Sequence, residues 1–363
     1  MRRLSYPNVV YRFCPFLLGW MLAATLSVTA QDPQFSQFYA APLYMNPAFA
    51  GSTQQGRVGM NYRNQWPAID ANFSTISAYG DFYIEDKNSG VGAILTRDYV
   101  GIVGLQSISF SVQYAYQLQL TKEWSFRPGV QIGIVNRSIN FGNLTFGDQF
   151  DPATGDIVKG TAEALNTGQS AFFPDLSFGG LFYSKNAWLG VAAHHLTEPN
   201  QSILGAQDIL YMKTSVHAGY KFFFRPGVLG TGLFARPRER SIAPTFQYRH
   251  QGAFNQMDLG VYYTFEPLII GTWYRGIPWK SVTEAGTTSG TPITQNESIV
   301  LLIGLTIKGE KDILNIGYSY DYTISKLGSG SGGAHEFSLV YSWPTRNPRK
   351  PPKDKLIIPC PDF

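Results

Sequence analysis

His194 and His195 stand side by side, and an adjacent histidine pair invites a metal-site reading. On a strand, however, neighbours point to opposite faces, so the two cannot easily ligate one ion and both read as structural histidines. His217, His250 and His335 are isolated in sequence, and no local motif supports a hydrolase built from a histidine and a serine on neighbouring strands. Asp148-Gln149-Phe150-Asp151-Pro152-Ala153-Thr154-Gly155-Asp156 has acidic spacing reminiscent of a calcium loop. It lacks the terminal bidentate glutamate and the ligand order of an EF-hand, and so reads as a solvated loop. Gly90-Val91-Gly92 is followed by strand pattern rather than a helix and fails as a dinucleotide fingerprint. No catalytic residue, cofactor or metal is expected, and the chain reads as a non-enzyme.

The segments that stand out chemically are the two ends of the chain. Asp32-Pro33-Gln34-Phe35-Ser36-Gln37-Phe38-Tyr39 is followed by Pro42-Leu43-Tyr44-Met45-Asn46-Pro47-Ala48-Phe49-Ala50-Gly51. The prolines deny this stretch a ladder role, while the aromatics deny it a disordered composition. We expect a short helix and turn whose Phe35, Phe38, Tyr39, Tyr44 and Phe49 plug a larger structure or present a docking surface. The tail from Pro344 is rich in proline and basic residues and ends Pro359-Cys360-Pro361-Asp362-Phe363. Its charge suits either a periplasmic or acidic envelope partner or plain solvation.

What must position these ends is a body dominated by period-two alternation. In Gln106–Leu120, Ile108, Phe110, Val112, Tyr114, Tyr116, Leu118 and Leu120 point one way, opposite Ser107, Ser109, Ser111, Gln113, Ala115, Gln117 and Gln119. Trp124–Ile134, Met257–Phe265 and Leu314–Thr323 repeat the pattern. Weaker runs occupy Val58–Asn64, Phe73–Ile84, Val91–Tyr99, Leu176–Ser184, Ala187–Leu196, Met212–Phe224, Ile242–Gln251, Leu268–Arg275, Ser298–Ile307 and His335–Trp343. Short turns at Glu266-Pro267 and Lys308–Lys311 are expected on the periplasmic side. Longer inserts at Gly142–Ser170, Gly276–Asn296 and Leu327–Gly333 are expected outside the cell. Trp66, Trp124, Trp188, Trp273, Trp279 and Trp343 fall near strand ends, as interfacial girdles require.

The first thirty residues read as an export signal. Arg2, Arg3 and Arg12 precede the apolar Phe16–Val28, and Val28-Thr29-Ala30 places cleavage before Gln31. The chain is then exported to the outer membrane with Cys360 as its one thiol. Aromatic residues reach 15% and charged residues only 15% of the chain, against the ~25% charged typical of soluble domains. The net charge of +4 belongs to the two ends, which excludes the basic body that nucleic-acid binding needs. The expected fold is all-β. It is a transmembrane antiparallel β-barrel of about 14 strands spanning 56–343, after a signal at 1–30 and a plug-like segment at 31–55, and before a tail at 344–363.

The N-terminal motif, and more weakly the Cys360-Pro361-Asp362-Phe363 ending, resemble the PorP/SprF family of outer-membrane proteins of type IX secretion and gliding motility in Bacteroidota. The resemblance implies a barrel that assists export or surface attachment of large, adhesin-like proteins carrying a C-terminal sorting domain. Its implied partners are outer-membrane lipid, other secretion components and that cargo. A passive channel or hydrophobic-compound transporter is the alternative that the residues leave open.

Overall fold

Strands with one greasy and one polar face can satisfy every backbone group in a bilayer only by closing on themselves, because an open sheet leaves unpaired edges in hydrocarbon. The computed structural model describes residues 32–69, 72–101, 104–140, 145–151, 154, 156–157, 170–203, 207–224, 227–229, 236–282, 293–325, 328–345 and 356–360. Among them, β1 (Gly56–Gln65), β2 (Phe73–Ile84), β3 (Ser89–Val100), β4 (Leu105–Tyr116, extended by Leu118–Gln119), β5 (Ser125–Ile139), β6 (Ser170–Tyr183) and β7 (Ala187–His194) make half of a cylinder. The other half is β8 (Lys213–Tyr220, extended by Phe222–Phe223), β9 (Arg240–Gln251), β10 (Phe254–Phe265), β11 (Leu268–Val282), β12 (Ile293–Lys308), β13 (Ile313–Thr323) and β14 (Ala334–Trp343). Each strand pairs antiparallel with the next, and β14 returns to β1 from Gly56↔Trp343 to Gln65↔Ala334, closing a fourteen-stranded barrel. A small hairpin, Gly227–Leu229 with Arg236–Arg238, sits in the connection between β8 and β9.

All fourteen runs read from the alternation are strands of this barrel. The parity holds as well: Ile108, Phe110, Val112, Tyr114, Tyr116, Leu118 and Leu120 are exposed on the outside, while Ser111, Gln113, Ala115 and Gln117 are buried in the lumen. The protein is thus inverted relative to a water-soluble one, with its greasy side chains outermost for acyl chains to cover. No helix among the described residues is long and apolar enough to cross a membrane.

Glu266-Pro267 and Gly309–Asp312 lie at the end where β1 starts and β14 finishes, here the terminal end. The strands that flank the three stretches read as long inserts end and begin at the opposite, loop end. Gly276–Asn296 is less of a loop than expected, because β11 runs to Val282 and β12 begins at Ile293, with register shifts after Arg275 and Ile277. β6 also starts earlier than Leu176. β7 pairs with β6 only from Phe178 onward, so among the described residues the stretch carrying Pro174 pairs with β5 alone. An edge is where a sheet tolerates proline.

The tryptophans need a correction. Trp188 and Trp273 are buried in the lumen instead of standing in an interfacial girdle, because they share the inward parity of Gly190 and Arg275. Of the others, Trp66, Trp124 and Trp343 do sit at strand ends, while the side chain of Trp279 lies outside the described residues. Ile132, on the outer face of β5 and 60% exposed, tests the inversion. Ile132→Arg should destabilise the barrel by about 2–4 kcal/mol in lipid vesicles if that position lies near the midplane. The check is the urea midpoint of unfolding; an unchanged midpoint would mean that this face is in water.

Candidate functional site

The lumen is filled by the chain's own N-terminal segment. Pro42 opens a single helical turn, α1 (Pro42–Met45), where its missing N–H is not needed, and Pro47 opens the 3-10 turn Pro47–Phe49. The Asn46 side chain caps that second turn, accepting from the Ala48 N–H at 2.9 Å. Asp32, Pro33, Gln34 and Tyr44 are half-buried, whereas Phe35, Ser36, Gln37, Phe38, Tyr39, Pro42, Asn46, Pro47 and Phe49 are buried. The buried ones, from Phe35 onward, pack into the barrel. Phe38 packs edge-on to Trp273, Tyr39 meets Trp188 and Tyr262, and Phe49 stacks on His217. Trp188 donates its indole N–H to the Tyr39 hydroxyl at 2.8 Å. Burial pushes the Tyr39 phenol well above its ordinary pKa, so it stays neutral.

Towards the loop end the segment is anchored by a buried charge network. Glu336 accepts from the backbone N–H groups of Ser36 (2.6 Å) and Gln37 (3.0 Å). The Ser36 hydroxyl donates to Asp321 at 2.6 Å and accepts from Arg63 and Arg275. Arg63 bridges Asp321 (2.8 Å) and Glu336 (3.3 Å), while Arg275 joins Asp321 (2.9 Å) to Asp258 (2.7 Å), which also pairs with Arg249. The Gln37 amide donates to the Glu336 carbonyl at 2.9 Å and accepts from Ser338 at 2.6 Å.

Towards the terminal end the wall grips backbone. Arg57 holds Asp81 through two bonds of 2.8 and 2.9 Å, and Asp81 accepts from the Gly51 N–H at 2.7 Å. Arg127 donates to the carbonyls of Ala48 (3.2 Å) and Ala50 (2.5 Å). Between the anchors, Tyr79 donates to the Ala40 carbonyl and Gln113 to that of Leu43. Close approach explains two glycines: Gly51 has φ +67°, and a Cβ on Gly90 would lie 1.9 Å from the Ala50 carbonyl oxygen. Gly90-Val91-Gly92 is therefore a seat for the plug.

The tail also enters the site. Leu356 and Ile358 are buried in the same apolar cluster as Phe38, Tyr39 and Phe49, with Cys360 packed against it. Pro361 and Phe363, like Arg346, Arg349, Lys350, Lys353 and Lys355, lie outside the described residues, as do the signal at 1–30 and part of the Asp148–Asp156 loop. The two adjacent histidines do not face opposite ways: His194 meets Ser177, and His195 meets Asp175 at 2.9 Å, both partners being on the inward face of β6. His195 has left the strand with φ +58°, which breaks the parity rule. Among the described residues no group of three metal-ligating side chains is close enough to hold an ion. Sequence reasoning passed over Arg57, Arg63, Asp81, Arg127, Arg275, Asp321 and Glu336. An ionisable residue at an inward strand position was the available signal.

The family described as type IX secretion system membrane protein PorP/SprF matches residues 27–341. Among solved structures, the Acinetobacter baumannii outer membrane protein Omp33 is similar at a TM-score of 0.39 and 8% identity, over 81% of this chain and 99% of that one. A Pseudomonas aeruginosa FadL homologue is similar at a TM-score of 0.43 and 12% identity, over 85% and 94%. No curated protein matches.

Two substitutions test the plug's seat. Gly90→Val, harmless to a strand as such, should push Ala50 off β3 and raise ion conductance in planar bilayers above that of the parent protein. Arg57→Met leaves Asp81 buried without its partner, and should cost about 3–5 kcal/mol of barrel stability. A Gly90→Val protein as silent as its parent would show that the plug does not seal against β3.

Proposed function

The chain belongs to the PorP/SprF family of type IX secretion system membrane proteins, and we propose that it acts as a non-enzymatic outer-membrane component assisting export or surface attachment of large adhesin-like proteins. In this reading it works as a fixed partner of the secretion machinery and its cargo, meeting them at its ends and outer face. Its lumen is not the cargo's route.

The observation that carries this reading is the plug. It is tied by Ser36 and Gln37 towards one end and by Gly51 towards the other, so it fills the lumen between these two levels. A passing polypeptide would have to expel Phe35, Phe38, Tyr39, Leu43 and Phe49, each large apolar side chain worth about 1.5–3 kcal/mol of burial. It would also strand the charges that now share Ser36. The same filling weighs against the passive-channel alternative.

A covalent tether separates the two routes. Cysteines replacing Gln37 and Ser338, whose side chains now meet, can be joined by a short thiol-reactive bridge that fixes the plug to β14. We expect export and surface attachment of the cargo to continue at the level of the same double variant left unbridged. If bridging alone stops export, the cargo uses the lumen and this reading is wrong.

A further inference from the structure

The plug and the tail fill one cavity but are held in different ways. The plug is continuous with β1, and buried ion pairs and close backbone contacts lock it. The tail arrives separately, connected to β14 through residues 344–355. Two polar contacts converge on one atom: the side-chain amides of Gln54 (3.0 Å) and Gln117 (3.2 Å) donate to the Leu356 carbonyl oxygen. Gln54 precedes β1 and Gln117 interrupts β4 near its turn, so this contact lies at the terminal-end mouth. Side chains then alternate: Leu356 and Ile358 are buried in the aromatic cluster, while Ile357 faces outward at 55% exposure. Pro359 is buried beyond them. A segment with alternate side chains in an apolar pocket and its carbonyl held by side-chain amides is held as a bound peptide is held.

We propose that the terminal-end mouth is a peptide-binding site. The chain's own Leu356–Cys360 occupies it as a tethered, displaceable ligand, and the site accepts an extended segment of a partner protein bearing apolar side chains two positions apart followed by proline. Because the tail belongs to the same chain, it meets the site intramolecularly and stays bound without a competitor. Displacing it uncovers the lower face of the plug cluster, around Tyr39 and Phe49, while the ion-paired plug stays in place. The site goes beyond the secretion role proposed above and does not depend on it, since it is read by binding alone.

The test uses the full-length protein in detergent and a fluorescent synthetic peptide with the sequence of residues 353–363. In the wild type the resident tail competes, so the peptide should bind weakly. In the full-length Leu356→Asp/Ile358→Asp variant the tail is expelled, and the peptide should bind saturably and at least about tenfold more tightly by fluorescence anisotropy. A peptide carrying the same two aspartates should not bind. Equal binding by wild type and variant, or equal binding by both peptides, overturns the proposal. So does failure of the variant to assemble as a barrel, because a displaceable ligand is not required for closure.

Discussion

The structure turns on a backbone that has no ladder of its own and yet is buried. Pro33, Pro42 and Pro47 keep the N-terminal segment from becoming another strand, so its carbonyls and N–H groups must find partners one at a time. The wall supplies them. Tyr79 serves the Ala40 carbonyl, Gln113 that of Leu43, and Arg127 those of Ala48 and Ala50, while Glu336 and Asp81 take the N–H groups of Ser36, Gln37 and Gly51. Irregular backbone at membrane depth is tolerated only when protein satisfies it in this way. The inward faces of β1, β2, β4, β5 and β14 are therefore specified residue by residue, whereas their outward faces need only be apolar.

The same requirement explains why the charges come in groups. A lone arginine at Arg63 or Arg275 would carry a desolvation penalty of several kcal/mol. Shared carboxylates at Asp321, Glu336 and Asp258, with the Ser36 hydroxyl between them, give each guanidinium several partners. Buried ion pairs of this kind contribute little net stability against an apolar replacement, but removing one member is costly. Their effect here is positional. They fix which residue of the plug sits at which height.

The barrel itself was legible because membrane strands alternate for longer than soluble ones, and parity needs no knowledge of partners. Ile108 to Leu120 could be sorted into two faces by inspection, and the structure sorts them the same way. Runs with blurred alternation have a physical reason to be blurred. In β12, Val300 and Leu302 are buried inward while Leu301 and Ile303 face outward, so both faces are greasy; the inner one belongs to the apolar cluster around the plug. The same reason places Trp188 and Trp273 inside. The wiring of the site was not legible. Nothing local says that Arg127 will reach Ala50, or that Leu356 will lie beside Gln54, because those pairings exist only once the cylinder has closed.

Two tiers of closure follow from the order of the chain. The plug precedes β1 and is bonded to strands from both halves of the barrel, including β2, β4, β5, β13 and β14, so its seat is complete only when β14 has met β1. The tail follows β14 and meets a pocket that the plug helps to shape, since Leu356 and Ile358 share one apolar cluster with Phe38, Tyr39 and Phe49. An element that touches many strands through charge and backbone cannot leave without unmaking the lumen. The tail, which enters after closure with its Leu356 carbonyl held at the mouth, is the element proposed above to exchange. Whatever exchange the protein carries out with other molecules therefore has the terminal mouth, the loop end and the outer wall to work with, and the middle of the barrel serves to hold these apart at fixed spacing.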